Sequence, residues 1–284
     1  MTGTGEEGSR DGRDGEDTRD GRDGRGGEGA RDSRAAGDGA GTAKGRRAKS
    51  GGQGRRERLR AETTAEIKNV ALALMASGGP DAITLRAIAR EMGMTANAIY
   101  GYFATRDDLV TTLINDLYTA LADAVDTAWE TSLPLAPAAR IQAWATAFRD
   151  WALANPEGFR LIYGDPVPGY RAPAGGAAPD AARRVCTGLA GLAAAAWPDA
   201  QHLYPTSEFE WSDFDPGLLD KVRPAFPELP PAAVALALRI WGHLHGLVSL
   251  EVYGHLRTQT VSPRKLFQQE LTGLVRALNL PPSH

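Results

Sequence analysis

From Thr2 to Arg58 the chain carries no Val, Ile, Leu, Phe, Tyr, Trp, Met or Cys, and its first large apolar side chain after Met1 is Leu59. Beyond that point apolar residues recur at helical spacing almost to the C-terminus. Ile67, Val70, Ala71, Leu74 and Met75 fall at i, i+3, i+4, i+7 and i+8, which is one face of a helix. Gly78, Gly79 and Pro80 end it. Leu85, Ile88, Ala89 and Met92 repeat the spacing behind Thr84, a suitable N-cap. Gly93 stands where a left-handed residue closes a helix, and Met94 is the apolar residue that packs back against such a stop. Thr95 caps a short helix through Tyr100. Thr105 and Asp108 are spaced as a capping box ahead of a longer helix on Leu109, Leu113, Ile114, Leu117 and Leu121.

The second half repeats the theme with more proline. Ile141, Trp144, Ala145, Phe148, Trp151 and Ala152 form an amphipathic face. Asn155-Pro156 and Ser262-Pro263 each read as an N-cap followed by proline at the first helical position. Ala181 to Trp197 is an alanine-rich helix, residues 231–255 a helix apolar on more than one side, and Phe267 to Leu278 the last. Residues 164–179 and 198–230 are rich in proline and read as irregular, the latter with one short helix at most, and both are candidate pocket entrances. No segment alternates with period two, so the class is all-α.

Composition sharpens the division. Of the 33 glycines, 17 lie in the first 54 residues. A segment with nothing to bury cannot offset the entropy of ordering, so residues 1–57 read as a disordered low-complexity tail. Its charge is uneven: residues 44–60 hold eight basic side chains against one acidic, which makes 44–57 a flexible basic arm suited to phosphates. The whole chain of 284 residues is nearly balanced at −3. A single cysteine, Cys186, excludes an internal disulfide and any multi-thiolate metal site. No uninterrupted apolar run of spanning length and no apolar leader stand in the sequence, so no membrane partner is expected and the expected location is cytoplasmic.

Residues 84–103 give a capped helix, a glycine turn and a second capped helix, which is the layout of a helix-turn-helix. Leu85, Ile88, Ile99 and Phe103 pack the two helices together. The second helix then presents its leading end outward, as a recognition helix presents itself to a major groove. Asn97 suits bidentate pairing with adenine, and Ala96 or the Thr95 methyl suits a thymine methyl. Met94 and Tyr100 flank that end, and Thr84, Arg86, Tyr102 and Arg106 are candidates for phosphate. The run ITLRAIAREMGMTANAIYGYFATRDDL, residues 83–109, resembles the DNA-binding domain of TetR-type bacterial regulators. Thr84, Ile88-Ala89, Gly93, Tyr100, Phe103 and Leu109 carry the resemblance, which extends over residues 58–118. Gly101 and Arg106 depart from it, standing where a bulkier polar residue and a lysine are usual.

The resemblance implies a homodimer on a palindromic operator in double-stranded DNA, with a helical C-terminal domain over 119–284. That domain would bind a small-molecule effector and dimerise through its last two long helices. WGHLHG at 241–246 with Glu251 resembles the WHG subclass of such domains. Trp144, Phe148 and Trp151 share one face, and Trp241 and His245 are i, i+4 neighbours; with Tyr163 they are the candidate effector-binding residues. His243 and His245 point about 200° apart on a helix and cannot chelate one ion. No catalytic residue, metal site or cofactor is expected, and no phosphate loop or nucleophile elbow is present. The expected function is therefore a transcriptional regulator, a repressor released by its effector. The rival is a dimeric ligand-binding protein of the same fold without operator function.

Overall fold

The computed structural model describes residues 43–281, with side chains from residue 54 onward. The reading of residues 1–42 as part of a structureless tail lies outside the described residues. Ten α-helices and three short 3-10 turns make up the described residues, with no strand among them.

Helix α1 (Ala43–Gly78) begins well before Leu59. Residues 43–57, read from the sequence as tail and flexible arm, are therefore helical here. Apolar periodicity is silent where a helix has no apolar residue, while Arg, Lys, Ala, Gln and Glu are all good helix formers. Its last part buries Ile67, Ala71 and Met75. Gly79, at φ 73°, turns the chain, its N–H donating to the Met75 carbonyl at 2.8 Å.

Helices α2 (Leu85–Glu91) and α3 (Ala96–Tyr100) follow, each capped as the sequence implies. The Ala87 N–H donates to Thr84 Oγ1 at 3.1 Å and the Ala98 N–H to Thr95 Oγ1 at 3.2 Å. Gly93 has φ 63°. The Met94 N–H reaches the Ala89 carbonyl at 2.8 Å and the Gly93 N–H reaches Arg90 at 3.2 Å, the two bonds of a Schellman stop. A Cβ at Gly93 would meet no atom within 4 Å, so only backbone strain opposes a side chain there. Gly93→Ala is expected to lower stability by about 1–2 kcal/mol, read by urea unfolding. A neutral result would show that the turn relaxes.

Helix α4 (Arg106–Ser132) is about 40 Å long. It opens on a reciprocal capping box, Thr105 N–H to Asp108 Oδ2 and Asp108 N–H to Thr105 Oγ1, both 3.0 Å. Its first turns close the core of α1–α3 with Leu109, Val110 and Leu113, and its later turns enter a second core with Leu121, Ala122 and Val125. Ile114 and Leu117 pack against both. One continuous helix thus joins the two cores.

The second core is formed with α5 (Pro137–Ala154), α6 (Pro156–Tyr163), α7 (Pro179–Ala200), α9 (Pro231–Val252) and α10 (Pro263–Ala277); α8 (Pro216–Val222) lies on a small satellite core. Three local expectations change. Asn155 does not cap α6; its Nδ2 donates to the Trp151 carbonyl at 2.9 Å and closes α5 instead. Ser262 makes no side-chain cap either, so proline alone marks both helix starts. Helix α7 runs past Trp197 through Pro198 to Ala200, because Ala196 and Ala200 are fully buried and hold the last turn in place. Helix α9 is long and apolar enough to cross a membrane by length and composition. The same apolarity serves packing here, with Ala233, Leu236, Ile240, Leu244 and Val248 buried.

Ion pairs tie the layers. Lys68 Nζ meets Asp116 at 2.6 Å, and Arg184 meets Asp123 at 2.6 Å and Asp126 at 2.7 Å. Inside the core, Arg149 of α5 grips Glu251 of α9 with two bonds, Nε to Oε2 at 2.9 Å and an amino group to Oε1 at 2.6 Å.

Candidate nucleic-acid interface and C-terminal cavity

Helix α3 anchors itself by one residue. Ile99 is fully buried while Thr95, Asn97 and Tyr100 are exposed. Thr84 and Arg86 are also exposed at the start of α2, and Met94, Ala96 and Tyr102 are half-buried around the turn. Thr84 and Thr95 accept backbone N–H groups but keep their own hydroxyl hydrogens for an outside acceptor. The Asn97 amide is exposed, where it can meet a base edge.

Two arginines complete this surface differently from the sequence reading. Arg60, on α1, donates to the Gly101 carbonyl at 2.8 Å and lies 4.9 Å above the Tyr102 ring. It brings a positive charge next to α3 from 41 residues away. The sequence signals it only as the last member of a basic run. Arg106, a phosphate candidate, is instead committed to three carbonyls: Ile83 at 2.5 Å, Pro168 at 2.7 Å and Pro80 at 3.1 Å. A guanidinium with this many backbone partners holds the fold first.

The Pro168 contact belongs to a larger docking. The 164–179 loop, a candidate pocket entrance in the sequence, folds onto the α1–α4 core. Val167 is buried there together with Leu161 of α6, the Tyr170 hydroxyl lies 2.9 Å from Thr111 Oγ1, and the Arg171 N–H donates to Asp107 at 3.3 Å.

The candidate effector residues separate into two layers. Trp144 and Phe148 are fully buried and stacked at 5.7 Å, and Trp151 is 8% exposed, so these three form core. Tyr163 and Trp241 line a cavity of about 260 Å³ between α4, α6, α7, α8 and α9. His245 stands behind them, its ring 4.9 Å from Tyr163 and 5.2 Å from Trp241. Tyr118, Cys186, Leu189 and Ala237 also line the cavity. Sequence spacing within one helix cannot group residues from five helices, and the lone cysteine offered no chemical pattern.

Burial sets the protonation here. It raises Tyr118, pushes Tyr163 well above the ordinary phenol value, and raises the Cys186 thiol, which the Lys221 charge pulls partly back. The Tyr163 hydroxyl, His245 Nε2 and Trp144 Nε1 are buried without a hydrogen-bond partner. The Tyr118 phenol acts on the titration of Tyr163, while the Tyr163 hydroxyl itself has no hydrogen-bond partner.

Burial also lowers His245 below its ordinary 6.5. The unfolded ring then binds a proton first as pH falls, so stability is full above 6.5 and declines towards the folded value. Urea unfolding at about pH 7.5 and about pH 5.5 is expected to show a smaller acid-side loss in His245→Phe than in the unmodified chain. Equal losses would remove His245 from the pH response.

Residues 67–113 match the family model of tetR-family bacterial regulatory proteins, and residues 141–274 match that of the tetracyclin repressor-like C-terminal domain. HTH-type transcriptional regulator Rv1816 of Mycobacterium tuberculosis is 33% identical over 235 residues, covering 79% of this chain and 96% of the relative. Regulator Mb1846 of Mycobacterium bovis aligns with the same figures. Among solved structures, the regulatory protein SCO4313 is 33% identical with a TM-score of 0.60, covering 78% of this chain and 98% of that one. A tetR-family regulatory protein from Rhodococcus RHA1, 19% identical with a TM-score of 0.52 over 77% of this chain and 98% of that one, shares the fold.

Proposed function

The chain belongs to the TetR family of bacterial transcriptional regulators with a DNA-binding helix-turn-helix, and from that premise we propose that it is a homodimeric repressor released from a palindromic operator by a small molecule. The observation that carries this reading is helix α3. Ile99 holds it to the core, while Thr95, Asn97 and Tyr100 stand free at its outer side. Asn97 reads a base; Thr84, Arg86 and Arg60 hold the backbone.

Dimerisation is assigned to α9 and α10. Gly242, Gly246 and Leu250 follow Leu238 at intervals of four along one face of α9, with Tyr253 beside them, and Leu238, Leu250 and Tyr253 are exposed. On α10, Leu266 is exposed and Gly273 lies on the same side. No atom stands within 4 Å of a Cβ built on Gly242, Gly246 or Gly273, so a partner helix has room to come close. The work divides near residue 118, with 58–118 reading DNA and 119–284 pairing and sensing.

Release is supported by one continuous segment. Tyr163 lines the cavity, and Leu161 and Val167 of the same stretch are buried in the core beneath the helix-turn-helix. A molecule that moves Tyr163 has a short mechanical path to α2 and α3. It favours release only in so far as it binds the two arrangements unequally.

Selection from a random DNA pool tests the reading. A palindromic consensus is expected, and Asn97→Ala is expected to cost about 1–3 kcal/mol on that consensus while leaving non-specific binding unchanged. A uniform loss on every sequence would make Asn97 a backbone contact. Failure to enrich any sequence would overturn operator function.

A further inference from the structure

The cavity between α4, α6, α7, α8 and α9 has a chemical character that narrows what can occupy it. Its walls are Val185, Leu189, Val222, Val234, Ala237, Trp241 and their apolar neighbours. No Asp, Glu, Lys, Arg or His lines it. Its polar groups are two phenols, Tyr118 and Tyr163, and the thiol of Cys186. At about 260 Å³ it holds roughly nine waters' worth of liquid volume. That is slightly below the range of pockets that take drug-sized ligands.

Three physical consequences follow. No charged side chain lines the cavity and the one charge that acts on its wall is Lys221 near Cys186, so an ammonium is selected against outright and a carboxylate loses its hydration everywhere except beside Cys186. The apolar wall rewards an apolar body, with Trp241 offering an aromatic face. Tyr163 lines the cavity, and its hydroxyl, buried just behind the wall without a partner, is satisfied by a polar ligand atom that presses in beside it. Raised phenol and thiol values keep these groups neutral near pH 7, consistent with a neutral guest.

We infer that the effector is a small, uncharged, largely apolar molecule of naphthol-like size, carrying one hydroxyl or carbonyl that meets the Tyr163 hydroxyl. This rests on the effector-release reading given above, since it assigns the ligand class of that same site.

Cys186 supplies a reporter, because it is the chain's only cysteine and lies on the cavity wall. The full-length protein is treated with a maleimide in the presence of naphthalene, 2-naphthol or 2-naphthoate. Naphthalene and 2-naphthol are expected to slow labelling, and 2-naphthoate is expected not to. In Tyr163→Phe, the 2-naphthol concentration needed for half-protection is expected to rise about tenfold, with naphthalene shifted less than about twofold. Tyr118→Phe repeats the comparison on the neighbouring phenol and is expected to shift 2-naphthol less than Tyr163→Phe does.

Equal protection by 2-naphthoate overturns the ligand class. So does absence of protection by both neutral compounds, or a parallel loss of 2-naphthol and naphthalene in Tyr163→Phe. Operator affinity is measured in the same samples. Neutral compounds that protect Cys186 yet leave operator affinity unchanged would overturn effector release while sustaining the ligand class.

Discussion

Replacing Glu251 by alanine is expected to destabilise the protein by about 3 kcal/mol, because it strands the guanidinium of Arg149 in the core. Arg149 is only 5% exposed, and both of its strong bonds go to Glu251. Loss of one partner of a buried pair costs about 3–5 kcal/mol. The lower figure applies because Asp150 remains 3.6 Å away and the Phe267 ring lies 5.4 Å from the guanidinium carbon. The double variant Arg149→Met with Glu251→Leu removes both charges and is expected to recover most of the loss. Urea unfolding at fixed protein concentration reads both variants, since pairing of subunits couples concentration to apparent stability. A loss below about 1 kcal/mol in Glu251→Ala would mean that water reaches Arg149 and replaces its partner.

Arg106→Ala is the second large effect, expected at about 2–3 kcal/mol of stability. The guanidinium serves Ile83 and Pro80 on one side and Pro168 on the other. Its removal leaves the Ile83 and Pro168 carbonyls without this donor, leaves Pro80 only the Ile83 N–H at 3.4 Å, and weakens the docking of the loop that follows α6 onto the α1–α4 core. Arg106→Lys is expected to recover less than half, because a single ammonium cannot span the planar fork's three acceptors. The two uses of this residue give opposite signatures. A fold clamp loses thermal stability, and with it the coupling of effector to operator. A phosphate contact keeps stability and reduces the slope of affinity against salt by about one. The second pattern would restore the phosphate role that the sequence implied.

Legibility differed with the range of the interaction. The caps at Thr84, Thr95 and Thr105, the left-handed Gly93 and the Met94 stop were all legible. Each joins residues no more than five apart, and their chemistry is contained in the local chain. Apolar period placed the faces of α1, α2, α4 and α10, since a helix that must bury one side shows that side in its sequence. The same signal failed at residues 43–57, where a helix has no apolar side, and at Pro198, where buried alanines outweigh the local preference of proline. Asn155 had two chain ends within reach and satisfied the earlier one.

The sequence by itself determined an all-helical chain, a displayed α3 with Thr95, Asn97 and Tyr100 outward, and the family to which it belongs. Only the tertiary structure decided that Arg106 clamps carbonyls, that Arg60 stands beside α3, that Trp144 and Phe148 are core, and which residues enclose the cavity. These depend on contacts across 41, 62 and 102 residues, as in Arg60 to Gly101, Arg106 to Pro168 and Arg149 to Glu251. A periodic pattern states which side of a helix avoids water. It does not state which other helix arrives to cover that side, and that choice places the side chains of a site.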